Sequence, residues 1–263
     1  MRDGVLLRLI GKWLNAGVLE EGKLSFPEAG SPQGGVISPL LANVYLHYVL
    51  DVWFEREVKP RLKGRAFLIR YADDFVMGFT CEEDARRVWD VLPKRFGTYG
   101  LTIHPDKTRL VPFRPPSRPD RQGAAGESRP GTFDLLGFTH YWGLSRKGIW
   151  VVKRRTASSR FRRAVMRIAQ WLRIHRHDPV AEQQQTLWRK IRGHCAYFGI
   201  TGNGEALGRF RYTVVRLWKK WLQRRKRGCY ISWDRFQRLL ERYPLPPAVV
   251  VHSVYRRGSE AMT

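Results

Sequence analysis

Cysteine is scarce in this 263-residue chain: Cys81, Cys195 and Cys229 stand far apart and form no CxxC pair. Their spacing excludes a disulfide framework, a zinc finger or a Cys-rich nuclease module, and fits inert thiols in a reducing compartment. Long apolar runs are missing as well, for no stretch approaches the roughly 20 apolar residues that a membrane helix needs. The opening Met1-Arg2-Asp3-Gly4 runs into Val5-Leu6-Leu7-Arg8-Leu9-Ile10, where interleaved charge marks an amphipathic core helix and excludes a secretory signal. Acidic residues are the third shortage, 23 Asp and Glu against 48 Lys and Arg, a formal net charge of +25. Residues 1–150 hold 22 basic and 17 acidic residues, a net +5, whereas residues 151–263 hold 26 and 6, a net +20. A field of that sign predicts a polyanionic partner, nucleic acid or an anionic membrane surface. Ten Trp and ten Tyr interleaved with the cations favour nucleic acid, where stacking and phosphate neutralisation act together.

What is present is organised around Arg70-Tyr71-Ala72-Asp73-Asp74-Phe75. Apolar runs on both sides, Ala66-Phe67-Leu68-Ile69 and Phe75-Val76-Met77-Gly78-Phe79, predict strand, tight turn and strand, with Asp73 and Asp74 at the hairpin tip. Adjacent carboxylates repel one another, and a hard divalent cation relieves that repulsion. Upstream, Gly30-Ser31-Pro32-Gln33-Gly34-Gly35 is a loop permitting close backbone approach to a ligand. Ser38 is expected to cap the following helix and Pro39 to sit in its first turn. Leu40, Leu41, Val44, Tyr45 and Tyr48 would form its buried face.

Downstream, Thr80 with Glu83 predicts a capping box, and Ala85, Val88, Trp89, Leu92 and Phe96 a helical stripe. Residues 100–103 and 108–111 read as short strands around His104-Pro105-Asp106-Lys107, and residues 112–132 as a flexible insertion. Phe133 to Phe138 would resume the sheet, and Gly143 to Gly148 would turn a hairpin. The expected fold class is α+β, an antiparallel sheet with packed helices over residues 1–152, followed by an all-helical basic region over 153–263. In the latter, Phe161, Val165, Ile168 and Leu172 make one stripe and Phe210, Val214, Leu217 and Trp221 another. Arg160, Arg163, Arg167, Arg192, Arg211, Lys219, Lys220, Arg224 and Arg225 lie among and around them as candidate RNA-binding residues.

The ordered set Ser31-Pro32-Gln33-Gly34-Gly35-Val36-Ile37-Ser38-Pro39-Leu40-Leu41-Ala42-Asn43, Tyr71-Ala72-Asp73-Asp74, Gly100-Leu101 through Lys107-Thr108, and Leu136-Gly137-Phe138 resembles the reverse transcriptase domain of bacterial group II intron-encoded proteins. Ile191 to Phe198 is similar to their maturase region. The resemblance implies a right-hand polymerase palm and a helical thumb, an RNA-directed DNA polymerase of the cytoplasm. Its substrates and partners would be dNTPs, an RNA template, a DNA primer and group II intron RNA, with no membrane role. Asp73 and Asp74 would be the catalytic residues holding two Mg²⁺ ions. Gln33, Gly34, Tyr71, Ala72 and Lys107 would meet nucleotide and template, and Leu136, Gly137 and Phe138 would grip the primer. The family also supplies a further metal-binding Asp upstream of the glycine loop, which this sequence lacks, and Asp3 is no substitute because it precedes an amphipathic helix. The chain therefore reads as N-terminally truncated, with a second chain or segment expected to supply the fingers. The alternative from another class is a non-enzymatic RNA-binding splicing factor or inactive remnant.

Overall fold

The apolar runs on either side of Asp73 fold as expected, into the antiparallel strands β3 (Ala66–Tyr71) and β4 (Asp74–Phe79). The computed structural model describes residues 3–15, 18–20, 23–25, 37–116, 131–226, 228 and 230–253. The chain divides into two compact units, Met1–Leu110 and Val111–Thr263. The fold is α+β, built from small antiparallel sheets and helices.

In the first unit, helix α1 (Gly4–Leu14) starts at Asp3, whose carboxylate accepts from the Val5 amide at 2.8 Å. Asp3 is thus an N-cap, satisfying helix donors that would otherwise lack partners. Contrary to the core-helix expectation, α1 buries none of its described side chains, and Val5, Leu7, Leu9 and Trp13 are exposed. Strands β1 (Val18–Glu20) and β2 (Lys23–Ser25) pair antiparallel. Helix α2 (Ser38–Leu46) has Ile37 at its N-cap without a side-chain cap, so Ser38 stands inside the helix and Pro39 in its first turn. Its expected buried face is open: Leu40, Val44, Tyr45 and Tyr48 are exposed.

The helix continues through π turns, His47–Val52 and Phe54–Val58, and ends in a 3₁₀ turn, Lys59–Arg61. A π turn inserts a residue and re-phases the side chains around the axis. Here the buried positions fall at Val49, Leu50, Trp53 and Phe54. Val49, Leu50 and Trp53 join Leu92 and Phe96 of α3 (Glu82–Thr98), with Leu68, Phe75 and Met77 of the hairpin packed against them. The sheet therefore has one covered face, while Phe67 and Ile69 stand exposed on the other.

Two local expectations are corrected. The Thr80–Glu83 capping box does not form: the N-cap of α3 is Cys81, the Thr80 hydroxyl oxygen accepts from the Arg65 amide at 2.9 Å, and Glu83 pairs with Lys63. Residues 100–103 and 108–111 are not strands: their backbone joins no ladder, and Leu101 and Ile103 are half-buried against the core of Leu50, Trp53, Leu92 and Phe96.

In the second unit, β5 (Phe133–Leu135), β6 (Phe138–Leu144) and β7 (Trp150–Thr156) form a three-stranded antiparallel meander of their own. It does not resume the first sheet, but the expected turn before Ile149 is present, with Gly148 at φ 71°. Helices α4 (Ser158–Ile174), α5 (Val180–Phe198), α6 (Gly204–Gln223) and α7 (Trp233–Arg242) follow. Their core holds Leu172, Leu187, Ile191, Leu207, Phe210, Val214, Trp218 and Phe236. The Trp218 indole donates to Gln183 at 2.8 Å, which keeps both buried polar groups satisfied.

Candidate active site and basic surface

The hairpin register pairs Arg70 with Phe75 and Tyr71 with Asp74, leaving Ala72 and Asp73 as the two turn residues. Ala72 has φ 54°, a conformation that costs an L-residue roughly 1–2 kcal/mol and that persists only when its surroundings enforce it. Arg70 provides that enforcement. Its side chain is 13% exposed and donates twice to Asp51, both at 2.7 Å. Its Nη1 donates at 2.9 Å both to the Asn43 side-chain oxygen and to the Ala72 carbonyl. Hydrogen bonding to Arg70, opposed by burial and aided by His47, holds the Asp51 carboxyl below the ordinary carboxylate range. The same bonds raise the Arg70 guanidinium.

Beyond this clamp, Asp73 and Asp74 are exposed, and neither carboxylate has a hydrogen bond or ion pair among the described residues. Tyr71 is exposed on the sheet's open face. Lys107 is exposed and closes a turn, its amide donating to the His104 carbonyl. Gln33 and Gly34 lie outside the described residues. Among the described residues, no group of three or more His, Cys, Asp or Glu side chains is placed to hold a metal ion.

In the second unit, Leu136 and Gly137 form the two-residue β5–β6 turn, with φ 50° and 79°. Two positive φ values are the type I′ pattern that suits strand twist. The Tyr197 hydroxyl donates to the Leu136 carbonyl at 3.0 Å, the Ala157 amide donates to that of Gly137, and Phe138 stacks on Tyr197. Residues expected from sequence to be primer grip and maturase segment thus meet within one unit.

The candidate RNA-binding cations separate by environment. Arg160, Arg163, Arg167, Arg192, Lys220 and Arg224 are exposed. Arg192 lies over Trp188 and Arg224 over Trp221, so each cation stands against an aromatic face. Lys219 is buried over Trp233 at 4.6 Å. Arg211 donates to the Pro246 carbonyl and Arg225 to that of Asp178, so both are partly committed to the fold. Arg70, Asn43 and Tyr197 stand inside the motifs read from sequence but were given no role there, and Asp51 was not singled out at all. The available signal was an Arg and an Asp set in otherwise apolar runs.

Compared with known proteins, residues 5–140 match the family described as reverse transcriptase (RNA-dependent DNA polymerase). The chain is similar to an uncharacterized 91 kDa protein in a cob intron of Schizosaccharomyces pombe, 46% identical over 55 residues, 21% of this chain and 7% of that protein. It is also similar to the group II intron-encoded protein LtrA of Lactococcus lactis, 41% identical over 68 residues, 24% of this chain and 11% of LtrA. These matches span about a tenth or less of the relatives' lengths. Among solved structures, a telomerase from Candida albicans in complex with telomeric RNA aligns over 90% of this chain and 36% of that one, with a TM-score of 0.40 and 16% identity.

Proposed function

Because the chain belongs to the reverse transcriptase (RNA-dependent DNA polymerase) family, we propose that it carries the polymerase palm and the maturase grip of a bacterial-type group II intron-encoded protein, copying RNA into DNA. The carrying observation is the exposed Asp73-Asp74 pair at the tip of a clamped hairpin, inside the matched residues 5–140. The intron-protein relatives support the intron assignment.

Reverse transcriptases generally use divalent metal ions, and the donor set here fits one. Two exposed carboxylates offer hard oxygens without a cation partner among the described residues, and Mg²⁺ is commonly held by one or two carboxylates together with waters and substrate phosphates. Asp73 and Asp74 would hold two Mg²⁺ ions, which when bound activate the primer hydroxyl and offset charge on the triphosphate. Tyr71 offers an exposed ring beside the carboxylates for the nucleotide or primer end. Lys107 would approach nucleotide phosphates, Gln33 and Gly34 would line the template and nucleotide pocket, and Leu136, Gly137 and Phe138 would support the primer. The basic region over residues 153–263 would hold template–primer duplex and intron RNA through phosphate and shape.

The test is extension of a DNA primer on an RNA template with Mg²⁺, by the chain and by its Asp73→Ala variant. Incorporation that the substitution abolishes supports the proposal. Equal incorporation by both overturns it, and favours the second reading of an RNA-binding splicing factor, which rests on the exposed cation and Trp pairs alone.

A further inference from the structure

The geometry points to Arg70, braced by Asp51 and Asn43, as a positioning residue that sets the Ala72-Asp73 turn for divalent-metal binding. This rests on the metal-binding reading of Asp73 and Asp74. Three observations carry it. The Arg70 guanidinium makes four hydrogen bonds, two to Asp51, one to Asn43 and one to the Ala72 carbonyl, all within 2.7 to 2.9 Å. Its anchors stand on another element: Asn43 belongs to α2 and Asp51 to the π turn that continues it. Its target is the one residue of the hairpin with positive φ.

A two-residue turn whose first residue has positive φ ordinarily takes glycine, and Ala72 adds a methyl group that disfavours the conformation. The turn's backbone direction decides where the Asp73 carboxylate projects, and misplacement by even an ångström is costly to a site that works by geometry. Planar, five-donor guanidinium chemistry is what permits simultaneous bonding to a carboxylate, an amide and a carbonyl, whereas a lysine ammonium offers a single nitrogen. The π turn completes the device by presenting Asp51 to the strand while its neighbours Val49 and Leu50 stay buried.

The experiment titrates the purified full chain with Mn²⁺ followed by electron paramagnetic resonance, and measures thermal unfolding in parallel. Wild type is expected to bind Mn²⁺ in a manner that Asp73→Ala weakens. Arg70→Lys, which keeps the charge, should weaken Mn²⁺ about tenfold, the lower end for residues that orient metal ligands. Asn43→Ala, which removes one brace, should weaken it about twofold, a lesser loss by the same reasoning. The decisive variant is Arg70→Lys combined with Ala72→Gly. Glycine adopts the positive φ unaided, so this pair should recover affinity to within about threefold of wild type. General destabilisation by Arg70→Lys would not be cured by a glycine in the turn. Unchanged Mn²⁺ affinity in Arg70→Lys, or a loss that Ala72→Gly leaves in place, overturns the positioning role while the metal reading stands. Failure of wild type to bind Mn²⁺ overturns the metal reading and the clamp with it.

Discussion

Replacing Asn203 by Ala should be among the most damaging single changes to the second unit. Asn203 is 1% exposed, and its side chain joins three elements. Its Oδ1 accepts from the Thr156 amide at 2.9 Å at the end of β7, and its Nδ2 donates at 2.8 Å to both the Thr156 hydroxyl and the Phe198 carbonyl that ends α5. Asn203 itself is the N-cap of α6. Three hydrogen bonds at about 1 kcal/mol each, and a buried Thr156 amide left without a partner, bring the expected loss to roughly 4 kcal/mol. With a urea dependence of about 2 kcal/mol per molar, the unfolding midpoint should fall by about 2 M. Urea unfolding of the wild type and Asn203→Ala, followed by tryptophan fluorescence, reads this directly because Trp218 lies at the centre of the affected core. Asn203→Asp serves as the control: it keeps the acceptor for Thr156 but turns both donors into acceptors, so it should be at least as harmful. A midpoint shift under about 0.3 M for Asn203→Ala would refute the reasoning, since it would mean that the three bonds contribute less than one ordinary hydrogen bond.

His194 is half-buried against Phe210 and Phe198, and burial lowers its pKa from the ordinary 6.5 to about 4. The folded state therefore binds the proton more weakly than the unfolded one, so stability is full above pH 6.5 and falls as pH drops toward 4. Allowing for partial exposure of the ring, the loss at pH 4 should be roughly 2 kcal/mol, and His194→Phe should flatten the stability profile between those limits. Gly199→Ala should cost about 3 kcal/mol by thermal unfolding, because a Cβ there meets backbone atoms of Cys195, Val249 and Val251, which cannot swing aside as a side chain can. RNA affinity measured over a salt series should fall steeply, and the triple substitution Arg160→Ala, Arg163→Ala, Arg167→Ala should reduce the log–log slope by about 2. An unchanged slope would remove α4 from the RNA surface.

The hairpin was legible because its evidence is local: two apolar runs around a polar pair mark two strands and a turn, although the turn proper is Ala72-Asp73 and Asp74 already pairs with Tyr71 in the ladder. The helix over 82–98 and helices α4 and α6 were legible for the same reason, since apolar periodicity is carried by neighbours three and four apart. Its capping box was not, because the Thr80 hydroxyl is taken by Arg65, fifteen residues away in sequence. Arg70 with Asp51, and Tyr197 with Leu136, are separated by 19 and 61 residues, and only the fold brings them together. The segments 100–103 and 108–111 have strand-like composition, but composition does not supply a pairing partner. Exposed apolar residues of α1 and α2 show the same limit from the other side: a periodic face states what can be buried, and packing decides what is.

Whether the hairpin tip holds a divalent metal, as proposed, is tested most directly by replacing Mg²⁺ with Fe²⁺. Bound iron treated with ascorbate and peroxide generates hydroxyl radicals that cut the backbone beside it, and mass spectrometry locates the cuts. Cleavage should centre on residues 71–74, be suppressed by excess Mg²⁺, and disappear in the Asp73→Ala, Asp74→Ala double variant. Cleavage located elsewhere, or cuts at residues 71–74 that survive the loss of both carboxylates, would contradict the claim.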